Sequence, residues 1–126
     1  MGAVTHEHAL LLTLTIEGVV GGALLYAWVG LRKGVFLRGL MIVMAASLLT
    51  HPAAWQANRI WLVHLPFPTR ATIIELSVAL AETVVLRVGL SRVTDEAAGP
   101  VPWMRCLVVS FVMNGASFGY GLLRLL

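Results

Sequence analysis

The sequence predicts an all-α fold: a polytopic membrane four-helix bundle with both termini outside. Three observations predict it. Hydrophobic residues make up 59% of the chain and charged residues only 12%, whereas soluble domains average about a quarter charged. Four apolar stretches each approach the ~20 residues that cross a hydrocarbon core. The Lys and Arg residues gather in the connections and at the ends of those stretches. The whole of 1–126 therefore reads as a single transmembrane domain.

The first predicted helix covers about 9–31 and stops at Arg32-Lys33-Gly34. No Lys or Arg precedes it, and it exceeds the ~7–15 apolar residues of a signal-peptide core, so it is expected to be a retained helix. The second covers about 37–60 and contains Pro52, which removes a backbone hydrogen bond one turn back, near Leu48. The third covers about 71–90, after the Pro66-Phe67-Pro68 turn, and the fourth about 102–123.

Orientation follows from basic residues in short connections. Arg32, Lys33, Arg38, Arg87, Arg92 and Arg105 fall at the first and third connections, against Arg59, Arg70 and Arg124 on the other side. This bias predicts the first and third connections, the latter with Asp95 and Glu96, on the cytoplasmic side of a plasma (inner) membrane. Trp28 and Trp103 then sit near the inner interface and Trp61 near the outer one, where indole rings concentrate. Trp55, about a turn and a half deeper than Trp61, is expected to face a neighbour. The single cysteine, Cys106, has no partner for a disulfide.

Matches between the halves suggest that one helical hairpin was duplicated. Ile16-Glu17 and Val29-Gly30-Leu31 of the first span match Ile74-Glu75 and Val88-Gly89-Leu90 of the third. Without gaps, Ser47, His51 and Trp55 of the second align with Ser110, Asn114 and Phe118 of the fourth. Parallel repeats about an axis along the membrane normal would result.

Ionisable residues inside a span cost roughly 2.5–3.5 kcal/mol on insertion scales, so each needs a reason. Glu17, His51, Glu75 and Glu82 lie within the predicted spans, accompanied by Thr13, Ser47, Thr50, Ser110, Asn114 and Ser117. Helical spacing puts Thr13, Glu17 and Gly21 on one face, and likewise Ser47, His51 and Ala54; Glu75, Ala79 and Glu82; and Ser110, Asn114, Ser117 and Gly121. Each helix thus has one polar or small face, which should point inward. Rises of ~1.5 Å per residue put Glu17, His51, Glu75, Asn114 and Ser117 between the outer end and mid-membrane, and Glu82 ~17 Å from the outer end. Glu17, His51, Glu75, Glu82, Asn114 and Ser117 are the predicted intramembrane polar site. Serine and asparagine in spans also act as helix–helix glue, worth about 0.6 kcal/mol on average. Glu82 and Arg87, five residues apart on one helix, are poorly spaced for an ion pair.

Other motifs carry less. Gly18-x-x-x-Gly22 and Gly115-x-x-x-Gly119 have the spacing of close helix contacts. His6-Glu7-His8 offers metal-ligand side chains near the start of the chain. No H-E-x-x-H, no G-x-S-x-G and no pair of membrane histidines for a haem occurs, so enzymatic chemistry has no anchor and no cofactor is expected. No basic stretch interleaved with aromatics points to nucleic acid.

Thr50-His51-Pro52, Glu75 and Glu82, and Asn114-x-x-Ser117 together resemble a pattern in uncharacterised small bacterial four-helix integral membrane proteins. That resemblance implies the fold over most of the chain and no activity. Small multidrug transporters resemble the chain in length and in a first-helix glutamate, but their motif is missing around Glu17, and Glu75 and Glu82 do not fit. The signatures of fluoride channels are absent. The expectation is a small membrane protein that handles a cation or proton through an outward-facing polar site. The alternative is an accessory or assembly subunit of a larger membrane complex. A homo-oligomer or such a complex is the expected partner context, within the lipid bilayer.

Overall fold

A computed structural model describes residues 6–31, 34–94 and 99–123. Arg32, Lys33, Asp95, Glu96 and Arg124, used above for orientation, lie outside the described residues, as does the side chain of His6. Among the described residues the chain is helical, with no strand. Helix α1 spans His6–Leu24 and runs on through a π-helical turn, Leu25–Val29. Helix α2 spans Gly34–Gln56 and ends in a second π turn, Ala57–Trp61. Helix α3 is Phe67–Val93 and α4 is Trp103–Leu123.

Local chemistry sets the ends. Gly30 takes φ +82°, the left-handed conformation that glycine adopts without a Cβ penalty. Its N–H, and that of Leu31 at 2.9 Å, both reach the Leu25 carbonyl and close α1. Leu31 then folds onto the core, 6% exposed. Pro66 and Pro68 start α3, where the missing N–H groups would have had no helical partner. The chain stays helical through Pro52.

Three helices, Glu7–Val29, Gly34–Trp61 and Trp103–Leu123, are long and apolar enough to cross a membrane. Helix α3 has the length, with 27 residues. It carries Arg70, Glu75, Glu82, Arg87 and Arg92, however, and these charges keep it outside that group. It also extends about a turn beyond the predicted 71–90 at its start, and three residues beyond at its end.

Helices α1 and α3 each pack against both α2 and α4. Neighbours run in opposite senses: Gly18 faces Met44 while Gly22 faces Leu40, and Thr50 meets Glu82 while Ile42 meets Gly89. Between α1 and α4, Glu17 meets Ser117 and Gly21 faces Met113. One half of the molecule therefore collects the start of α1, the end of α2, the start of α3 and the end of α4. The other half holds a dry core of Leu25, Val43, Leu86, Leu90, Val109 and Met113, with the Cys106 thiol buried among them. Large apolar side chains such as Leu11, Val19, Leu49, Met41 and Leu80 point outward, a surface suited to lipid rather than water.

Candidate functional site

Polar side chains converge where the dry core ends. Glu82 is fully buried on α3. The Thr50 hydroxyl of α2 donates to its Oε1 at 2.7 Å, and Asn114 Nδ2 of α4 donates to its Oε2 at 2.5 Å. Ser110 Oγ stands 3.5 Å from the same Oε2 and donates at 2.8 Å to the Ala79 carbonyl of α3. Burying a carboxyl group is costly unless its oxygens are hydrogen-bonded. Here two facing helices supply the donors.

Glu17 is the second buried carboxyl, 2% exposed on α1. Ser117 Oγ donates to its Oε1 at 2.7 Å and also lies 3.0 Å from the Asn114 carbonyl. Glu17 Oε2 is buried with no hydrogen-bond partner among the described residues. Thr50, Glu82, Asn114, Ser117 and Glu17 thus form one polar chain that touches all four helices.

This chain floors a half-open cleft of about 210 Å³ in the half that holds both ends of the described chain. Glu75 and His51, both half-buried, line the cleft above the floor. Asn58 lines it as well, with Phe67 and Phe118 among the apolar groups. Trp55 lines it too and stacks against His51, one turn earlier on the same helix, with ring centroids 6.4 Å apart. Among the described residues neither Lys nor Arg lines the cleft. Two guanidinium groups lie over aromatic rings of the lining: Arg59 is 5.2 Å from the Trp55 ring and Arg70 5.6 Å from that of Phe67. Arg87 turns away from Glu82, bonding Ser91 and lying 5.5 Å from the Trp103 ring.

All six residues of the predicted polar site line this one cleft. Four of them, Glu17, Glu82, Asn114 and Ser117, belong to the hydrogen-bonded chain, and His51 and Glu75 line the cleft beside it. Sequence reasoning left Thr50 out of the site, although it carries the bond between α2 and Glu82. Its position three residues after Ser47, on the same helical face, was the available signal. Among the described residues no three His, Cys, Asp or Glu side chains are grouped to hold a metal ion.

The suggested duplication matches the fold only in part. Ser47 and Ser110 are both buried. In burial and bonding, however, Glu17 is paired by Glu82, two turns beyond the Glu75 that the alignment gives it. Gly30 ends a helix, while its aligned partner Gly89 is mid-helix against Ile42.

No family model, no curated protein and no solved structure matches this chain.

Proposed function

We propose that this protein is a four-helix bundle of the plasma membrane, with both termini outside, that transports a cation or proton through the polar cleft. The observation that carries the reading is the lining itself: Glu17, Glu75 and Glu82 face one cleft that, among the described residues, no Lys or Arg lines. Intramembrane carboxylates in a cavity mark ion and proton pathways. The dry core below Glu82 favours a carrier over an open pore, because a charged species meets no polar path there. Release to the other side then requires the helices to rearrange about a site near mid-membrane, as in transporters built from repeats.

Reconstitution into liposomes tests this. Proton flux read by a pH dye, and cation flux driven by a membrane potential, should appear with the native chain and fall at least tenfold in Glu82→Gln. Native and Glu82→Gln proteins giving identical fluxes would end the transport reading.

A second reading, accessory subunit of a larger complex, is favoured by one feature of α4. A Cβ added at Gly115 or Gly119 would meet nothing within 4 Å, so this small-residue face is uncovered within the chain. In membranes such faces let a second helix approach closely. Native mass spectrometry after gentle solubilisation separates the two readings. A stoichiometric foreign subunit favours the accessory role, and a homo-oligomer favours autonomous transport.

A further inference from the structure

The acidic cleft has an apolar neighbour. A groove of about 510 Å³ follows the seam between α2 and α3, within the ~300–1,000 Å³ usual for small-molecule sites. Ala53 on α2 and Ala81 on α3 line it and are exposed on the outer surface. Thr50, Ala54, Ile74 and Val78 line both the groove and the cleft. A single layer of side chains therefore separates the carboxyl groups from a lipid-facing channel. Thr50 belongs to both sides, since its hydroxyl donates to Glu82.

We infer that the cleft takes an amphiphilic organic ammonium, its cationic head among Glu75, Glu82 and Phe118 and its alkyl chain in the α2–α3 groove. This rests on the proposed reading of the cleft as a cation site. Charge complementarity selects the head, because three carboxyl groups and, among the described residues, no Lys or Arg line the cleft. The absence of a grouped ligand set among the described residues selects an organic cation over a divalent metal ion. A divalent ion needs several oxygens at ~2.0–2.6 Å, and no three acidic, His or Cys side chains are so grouped among the described residues. An ammonium spreads its charge over a larger volume and is stabilised by an aromatic face such as that of Phe118. The groove selects the chain, since it is apolar and shares its inner wall with the cleft. Entry is sideways from the membrane, past Ala54 and Val78. An inorganic cation would use the cleft alone and leave the groove to lipid.

The test titrates tetramethylammonium and hexyltrimethylammonium into the full chain in phosphatidylcholine nanodiscs, with empty nanodiscs subtracted. The hexyl compound should bind at least tenfold more tightly than tetramethylammonium, and both should weaken in Glu82→Gln. Filling the groove with Ala81→Phe, or independently with Ala53→Phe, should shrink the ratio between the two cations below threefold; if one variant does not fold, the other decides. A native ratio near one, or a tenfold ratio that persists in the groove variants, overturns the amphiphile assignment and leaves the cation cleft standing. Absence of binding by both cations overturns the cation cleft itself.

Discussion

Asn114 Nδ2 of α4 donates to Glu82 Oε2 of α3 across 2.5 Å, with both side chains buried. The pair anchors the floor of the cleft, and removing one partner strands the other. Asn114→Leu should lower stability by about 1–2 kcal/mol, between the mean for intramembrane bonds and that for bonds to charged groups. The double variant Glu82→Leu with Asn114→Leu should recover part of that loss, because no buried carboxyl is left short of a donor. Thr50 and Ser110 would fall back on the Ala46 and Ala79 carbonyls, already 3.1 and 2.8 Å away. Thermal unfolding in one detergent checks this. A double variant less stable than the single one would show that the pair does not act as a unit.

Glu17 depends on α4 in a different way. Ser117 donates to its Oε1 at 2.7 Å, while Ser47, which also neighbours this carboxyl, donates at 3.2 Å to the Val43 carbonyl of its own helix. Ser117→Ala should therefore cost about 1 kcal/mol, and Ser47→Ala less than half of that. The comparison is readable from the two thermal midpoints measured side by side. Equal losses would mean that Glu17 is held as firmly from α2 as from α4.

Much of this site was legible in the sequence, for a physical reason. A polar atom in an apolar helix has few places to go, so Glu17, Asn114 and Ser117 announced an inward face by spacing alone. What spacing could not supply was register between helices. Thr50 became the partner of Glu82 only because α2 and α3 run in opposite senses with Ile42 against Gly89. Glu75, matched to Glu17 by sequence, ends above the floor for the same reason. Hydropathy also misjudged α3, because it stops at a charge while a helix does not. Arg70 and Arg92 lie inside the helix, and both are good helix formers.

The single cysteine makes the sidedness of the cleft measurable. In a Cys106→Ala background, cysteines at Thr13 and Asn58, both lining the cleft, should react with a membrane-impermeant maleimide added outside intact cells. A cysteine at Val109, fully buried in the dry core, should stay unlabelled from either face. Labelling of Thr13→Cys and Asn58→Cys only in inverted vesicles would place the cleft on the cytoplasmic side and reverse the proposed direction of access.

The glycines of α3 and α4 predict opposite responses to the same substitution. A Cβ at Gly89 would lie 2.6 Å from Ile42 Cγ2 and 3.2 Å from Ile42 Cγ1, a β-branched side chain with little freedom to yield. Gly89→Leu should therefore push α2 and α3 apart and cost about 1–3 kcal/mol by overpacking. At Gly119 an added Cβ meets nothing within 4 Å, so Gly119→Leu should leave the thermal midpoint of the isolated chain unchanged or slightly raised, since leucine favours helix over glycine by roughly 1 kcal/mol. The same Gly119→Leu variant should weaken any assembly that uses this face, because close helix approach depends on the missing side chain. Native mass spectrometry and thermal unfolding of the two variants separate these effects. An oligomer that survives Gly119→Leu and Gly115→Leu intact would remove α4 as the contact face and, with it, the observation that favours an accessory role.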